Sequence, residues 1–100
     1  MGKNLSYEDI LGLLRSERIF LKNEFGVINI GIFGSYAKGT QQDDSDIDFL
    51  VEFEEPRFEY VAGLLIYLEK TFNRKIELVR KGLSVNRRLT ERIGDDLKYA

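Results

Sequence analysis

The chain has 100 residues, of which 43% are hydrophobic and 32% are charged, and its formal net charge is −2. This length accommodates one hydrophobic core, so we expect a single domain spanning residues 1–100. Cysteine and histidine are absent, which excludes disulfide bonds and thiolate or imidazole metal sites and leaves oxygen as the only ligand type for a metal.

The first predicted helix covers residues 6–24. Ser6 and Asp9 have the spacing of a capping box, in which each side chain accepts a hydrogen bond from the other residue's backbone N–H. Apolar residues then recur at helical spacing, with Glu17 as the one polar interruption. A strand over residues 27–33 follows, and its side chains are apolar on both faces except at Asn29, as is typical of a central strand.

A Gly-Ser turn comes directly after this strand. Gly34 and Ser35 open a short helical turn that Gly39 is expected to close. Backbone N–H groups and a hydroxyl in such a turn can point at phosphate oxygens. We therefore predict a phosphate site at this turn.

Two aspartates mark the second predicted strand, residues 46–53. Side chains alternate along a strand, so Asp46 and Asp48 are expected to share one face, roughly 6.5–7 Å apart. Ile47 and Phe49 then point into the core. Carboxylates at this spacing can bind hard divalent cations such as magnesium, manganese or calcium.

The remaining pattern completes a predicted α/β (α+β) domain with a small mixed sheet. A helix over residues 57–72 leads to a short strand over 75–79, which carries Glu77. A last helix, ending near Tyr99, is predicted from apolar residues that recur every four positions, namely Val85, Leu89, Ile93 and Leu97.

The motifs of this chain resemble those of the nucleotidyltransferase superfamily that includes DNA polymerase beta. The resemblance rests on Gly34-Ser35, Gly39, Ser45-Asp46-Ile47-Asp48 and a later carboxylate on a third strand. More narrowly, the chain resembles the minimal nucleotidyltransferases (MNT), which are encoded beside all-helical HEPN proteins as toxin–antitoxin pairs. The resemblance covers nearly the whole chain, and it implies the polymerase beta-like fold.

The same resemblance implies a set of ligands and residue roles. ATP is the expected substrate, with two Mg²⁺ or Mn²⁺ ions as cofactors. Gly34, Ser35 and Lys38 are the expected nucleotide-binding residues, although the family usually has arginine at the position of Lys38.

Three carboxylates are predicted to be both metal ligands and catalytic residues: Asp46, Asp48 and Glu77. Two metal ions about 3.5–4 Å apart can stabilise the attacking and leaving oxygens of a phosphoryl displacement. Glu77 is expected to complete the site and accept the proton of the attacking hydroxyl. The family usually has aspartate here, and the extra methylene changes the geometry of the base.

Three functions fit these residues. The first is transfer of AMP from ATP to a hydroxyl of a partner protein. The resemblance implies that this partner is the HEPN toxin, modified on a tyrosine, and that the chain acts as its antitoxin. The second is an antitoxin that neutralises its partner by binding alone, which the glutamate at position 77 favours. The third is a nucleic-acid-directed nucleotidyltransferase, which the acidic sequence pI of about 5.2 disfavours.

The expected location is the cytoplasm. The apolar runs are far shorter than the ~20 residues that a membrane helix needs. The N-terminus also lacks the apolar stretch of a signal peptide. No membrane partner is therefore expected. The sequence is compatible with both homo-oligomers and hetero-oligomers.

Overall fold

The computed structural model describes residues 5–55, 57–81, 93 and 96–100. This part of the chain contains four helices and four strands. The helices are α1 (Tyr7–Ser16), α2 (Arg18–Phe25), α3 (Gly34–Lys38) and α4 (Phe58–Phe72), and the strands are β1 (Val27–Phe33), β2 (Ile47–Phe53), β3 (Ile76–Arg80) and β4 (Lys98–Tyr99). None of the helices in these ranges is both long enough and apolar enough to cross a membrane.

The capping box at the start of α1 is confirmed. The Ser6 hydroxyl accepts from the Asp9 N–H at 3.1 Å, and the Ser6 N–H donates to the Asp9 carboxylate at 3.1 Å. These bonds satisfy backbone donors that have no partner within the helix. The bounds of β1 are those predicted, and α4 begins one residue later than predicted.

The prediction of one continuous helix over residues 6–24 is wrong. The helix ends at Ser16 and a second begins at Arg18, with Glu17 at φ −101° and ψ 13° between them. The Ser16 hydroxyl donates to the Leu13 carbonyl at 2.7 Å, a local bond that competes with the regular helical ladder. The polar interruption in the apolar pattern therefore marks a junction that periodicity alone did not reveal.

The strands form one four-stranded mixed sheet in the order β3-β2-β1-β4. β2 pairs antiparallel with β1 and parallel with β3, so α4 is the crossover between two parallel strands. Residues Ile32, Phe49 and Val51 are fully buried in the core against the helices. Because strand side chains alternate, Asp48 lies on the opposite face of the sheet.

β4 corrects the end of the predicted last helix. Lys98 and Tyr99 pair antiparallel with Ile32 and Gly31 instead of continuing a helix. A Cβ on Gly31 would lie 2.8 Å from the Lys98 carbonyl oxygen, so glycine permits this close pairing. Apolar residues at every fourth position predict local helical structure only. They cannot predict that Lys98 and Tyr99 pair with β1, which is far away in the sequence. Most of the predicted helix, including Val85 and Leu89, lies outside the described residues.

Candidate active site

The fold brings two of the predicted site carboxylates together across neighbouring strands. In the register of the sheet, Asp48 pairs with Glu77 on β3 and with Phe33 on β1. Paired residues on adjacent strands share a face and their backbones lie ~4.8 Å apart. Asp48 and Glu77 are both half-buried, and they are neighbours on the sheet face opposite Phe49 and Val51.

Asp46 lies immediately before β2, which begins at Ile47 and not at the predicted residue 46. The Ile47 N–H donates to the Lys75 carbonyl at 3.0 Å, which joins the entry of β2 to the entry of β3. Asp46 is half-buried at this end of the sheet, close in sequence to the Asp48 position. Its sharing of a face with Asp48 stays a prediction.

The Gly-Ser turn touches the Asp48 carboxylate. Gly34 has φ +74°, and a Cβ at this position would collide with the Asp48 carboxylate oxygen. Absence of a side chain therefore lets the carboxylate lie against the backbone of the turn. Ser35 is the next residue and is half-buried, so the predicted phosphate-binding turn and the predicted metal ligand Asp48 form one site.

Gly39 ends the helical turn α3, as predicted. Gly39 has φ +78° and caps α3, where its N–H donates to the Tyr36 carbonyl at 3.3 Å. The Thr40 N–H donates to the Ser35 carbonyl at 3.0 Å. These bonds fix the backbone around Ser35 in a single tight turn, which holds the hydroxyl at the end of β1.

Substitution of Gly34 by alanine is expected to lower the free energy of unfolding more than substitution of Gly39. Both positions have positive φ, so both variants carry the backbone strain of a left-handed residue. A Cβ on Gly39 meets nothing within 4 Å, whereas one on Gly34 displaces Asp48. We expect Gly34→Ala to be the less stable of the two by about 1–3 kcal/mol, the usual cost of overpacking. Urea unfolding of both variants measures this difference, and equal destabilisation would contradict the contact.

The loop before the aspartates is held by side chains whose role the sequence did not predict. Gln41 donates through its amide to the Leu5 carbonyl at 2.9 Å. The Ser45 hydroxyl accepts from the Gln42 N–H at 2.8 Å, and the Ser45 N–H donates back to the Gln42 carbonyl at 3.0 Å. Ser45 thus closes a turn directly before Asp46, which is a physical reason for a serine in Ser45-Asp46-Ile47-Asp48.

Lys38 lies at the surface at the end of α3. Its Nζ is 3.9 Å from the Asp96 carboxylate, and both side chains are about half exposed. An exposed pair at this distance contributes little stability, so Lys38 can exchange this partner for another anion. Its predicted contact with a nucleotide stays a prediction.

Comparison with known proteins identifies the class to which this fold and site belong. A family model described as a nucleotidyltransferase domain matches residues 15–98. The chain therefore belongs to the nucleotidyltransferase domain family, which confirms the resemblance inferred from the Gly-Ser turn and the Asp-x-Asp strand. Within this family, the chain is 41% identical over 78 residues to the protein adenylyltransferase MntA of Thermococcus cleftensis, covering 77% of this chain and 79% of that protein.

Solved structures confirm the predicted fold. A toxin–antitoxin complex crystallised with AMP-PNP matches with a TM-score of 0.64 at 27% identity, covering 95% of this chain and 72% of that chain. A Shewanella oneidensis complex of a tri-AMPylated HEPN toxin with its MNT antitoxin matches with a TM-score of 0.58, covering 89% of this chain and 70% of that chain. Its identity of 22% makes this second match a likeness of fold alone.

Proposed function

We propose that this chain transfers AMP from ATP to a tyrosine hydroxyl of a HEPN toxin and thereby acts as its antitoxin. The observation that carries the proposal is the contact of the Asp48 carboxylate with Gly34, beside Glu77, in a nucleotidyltransferase domain. The similarity to a protein adenylyltransferase and to an antitoxin crystallised with a toxin and AMP-PNP supports a protein as the acceptor.

The donor set suits magnesium. Asp46 and Asp48 offer oxygen ligands, and the chain has no histidine or cysteine to attract a softer metal. Among the residues that the structure describes, no group of three or more carboxylates is arranged to hold a metal ion without further ligands. Magnesium in phosphoryl-transfer sites is typically held by one or two carboxylates together with substrate phosphates, so Asp46 and Asp48 would hold it when ATP is present. The bound cation would neutralise charge that develops on the phosphoryl oxygens.

The residues of the chain then have separate tasks. Ser35 and the backbone N–H groups of its turn hold the β- and γ-phosphates, which places the α-phosphorus near Asp48. The tyrosine oxygen bonds to the α-phosphorus as the bond from that phosphorus to the bridging oxygen breaks, and pyrophosphate leaves. Glu77 accepts the hydroxyl proton, because it is the carboxylate beside Asp48 in the register of the sheet.

A second candidate function is neutralisation of the toxin by binding alone. The glutamate at position 77 favours it, because the family usually has aspartate there and a base displaced by one methylene is less well placed. The fold and the partner are the same in both candidates. They differ in whether the partner gains AMP.

One experiment separates the two candidates. The purified chain is mixed with a HEPN protein encoded in the same genome, with ATP and magnesium, and the intact masses of both proteins are measured. We expect a tyrosine of the HEPN protein to gain the mass of an adenylyl group, which is AMP less one water, with no gain when ATP or magnesium is omitted. Complex formation and neutralisation without any mass gain would support binding alone.

Ser35→Ala is expected to weaken the binding of AMP-PNP by about 1–3 kcal/mol, the scale of a charge-assisted hydrogen bond. Calorimetry in the presence of magnesium measures the affinity. Ser16→Ala is the matched control, because that hydroxyl bonds to the Leu13 carbonyl in the helix layer. If Ser35→Ala lowered the stability but left the nucleotide affinity unaltered, the hydroxyl would serve the turn alone.

A further inference from the structure

The outward side of α4 carries a stripe of five residues, which we call the α4 outer face: Glu59, Ala62, Gly63, Ile66 and Lys70. They recur at intervals of three and four along the helix, so they lie on one side of it. Leu64 and Leu68 are fully buried on the opposite side, where the helix packs in the core. Ile66 is 52% exposed at the middle of the face, so a large apolar side chain is presented to the surroundings there.

The apolar surface continues from Ile66 onto α2. Phe20 is 40% exposed, and its ring centroid lies 5.3 Å from that of Tyr67, the residue next to Ile66. Phe25 packs against α4 at Gly63, where an added Cβ would lie 2.9 Å from the ring. An exposed apolar patch of this kind, with charged residues at its ends, is typical of a protein interaction surface.

The two charges at the ends of the α4 outer face have no partner on their own helix. Glu59 has no basic residue three or four positions away along α4, and Lys70 has no acidic residue at either spacing. In the part of the chain that the structure describes, neither of them is within ion-pair distance of an opposite charge. One end of the face is therefore negative and the other is positive.

We propose that the α4 outer face binds the same face of a second copy of this chain, with the two helices antiparallel about a two-fold axis between Leu64 and Leu65. Residues 59 and 70 are equally far from this axis, at roughly 8 Å along the helix by a rise of ~1.5 Å per residue. Glu59 of each copy is therefore level with Lys70 of the other, and opposite charges meet at both ends of the contact.

The centre of the face has the same two-fold relation. Residues 63 and 66 are equally far from the axis, so Ile66 of each copy is level with Gly63 of the other, a position without a side chain. A two-fold interface requires a surface that complements itself in this way. Parallel pairing of the two helices would instead bring like charges together at both ends. The pattern thus favours a second copy as the occupant over an unrelated protein.

The contact leaves the candidate active site open. The ring of Phe72 on α4 stacks 6.1 Å from the ring of Phe49, so α4 covers the face of the sheet that carries Phe49. Asp48 is the preceding residue of the strand and lies on the opposite face. A contact through one helix is at the small end of protein interfaces, so we expect a dissociation constant of about 10 µM or weaker. The inference stands independently of the proposed transfer reaction.

The test uses the full chain without nucleotide. Sedimentation equilibrium measures its mass from about 1 µM to about 1 mM, at low salt so that surface charges are not screened. We expect the unmodified chain to dimerise at the higher concentrations. Glu59→Lys and Lys70→Glu should each raise the dissociation constant at least about tenfold, because each variant places like charges at both ends of its dimer. An equimolar mixture of the two variants should recover the dimer, because opposite charges then meet at both ends.

Glu8→Lys and Arg15→Glu are the matched controls. They make the same charge reversals in the first and last turns of α1, as the test variants do on α4. All four positions are exposed, so the variants are expected to fold. Both controls should dimerise as the unmodified chain does.

Four outcomes would overturn the inference. The first is an unmodified chain that stays monomeric at about 1 mM, where a contact of this strength would form. The second is a dimer that neither reversal on α4 weakens. The third is a mixture of the two variants that stays monomeric. The fourth is a monomeric chain whose binding of a HEPN protein is abolished by the same reversals, which would assign the face to that partner.

Discussion

Replacement of both Asp46 and Asp48 by asparagine is expected to reduce AMP transfer by at least about 10³-fold. Asparagine keeps the size of each side chain but removes the charge that binds a hard cation. Loss of the cation removes several kcal/mol of stabilisation from the developing phosphoryl charge, and each ~1.4 kcal/mol is a tenfold change in rate. The same variant should also lose manganese-dependent binding of AMP-PNP, which calorimetry measures.

The neighbouring loop supplies the control for this experiment. Asp43→Asn with Asp44→Asn removes the same charge from two exposed residues close in sequence. We expect this control to retain most of the transfer rate and nucleotide affinity, because exposed charges at the protein surface interact weakly with the site. Unchanged affinity for manganese and AMP-PNP in the Asp46 and Asp48 variant would refute the metal assignment.

Glu77→Gln is expected to lower the rate of AMP transfer by roughly 10²-fold, the scale of general base catalysis. Glutamine keeps the size and hydrogen-bonding capacity of the side chain but cannot take the proton of the attacking hydroxyl. Binding of the HEPN partner should be retained, since Glu77 lies beside Asp48 in the sheet. Initial rates from intact mass spectra measure the loss, and Glu69→Gln on the exposed side of α4 is the control.

The outcome also distinguishes the roles that Glu77 can have. Undiminished transfer in Glu77→Gln would show that another group accepts the proton. Glu77→Asp tests the length of the side chain, because it shortens the carboxylate to the form usual in the family. A faster reaction in Glu77→Asp would show that the extra methylene limits the rate of this chain.

Local structure was predictable from the sequence because its signals are local. The Ser6–Asp9 capping box and the left-handed glycine at Gly39 depend on residues within one helical turn. The bounds of β1 follow from a run that is apolar except at Asn29 and ends before Gly34. The junction at Glu17 was missed because a single polar residue does not end a helical pattern that resumes at Phe20 and Leu21, and the hydroxyl bond from Ser16 cannot be read from apolar spacing.

The sequence by itself therefore determined the class of fold, the position of the Gly-Ser turn and which carboxylates are candidate metal ligands. The tertiary structure decided how they meet: Asp48 pairs with Glu77 and lies against Gly34, while the last described strand pairs with Gly31. Alternation along a strand specifies which face a side chain occupies, but the register between strands distant in sequence depends on packing of the whole core.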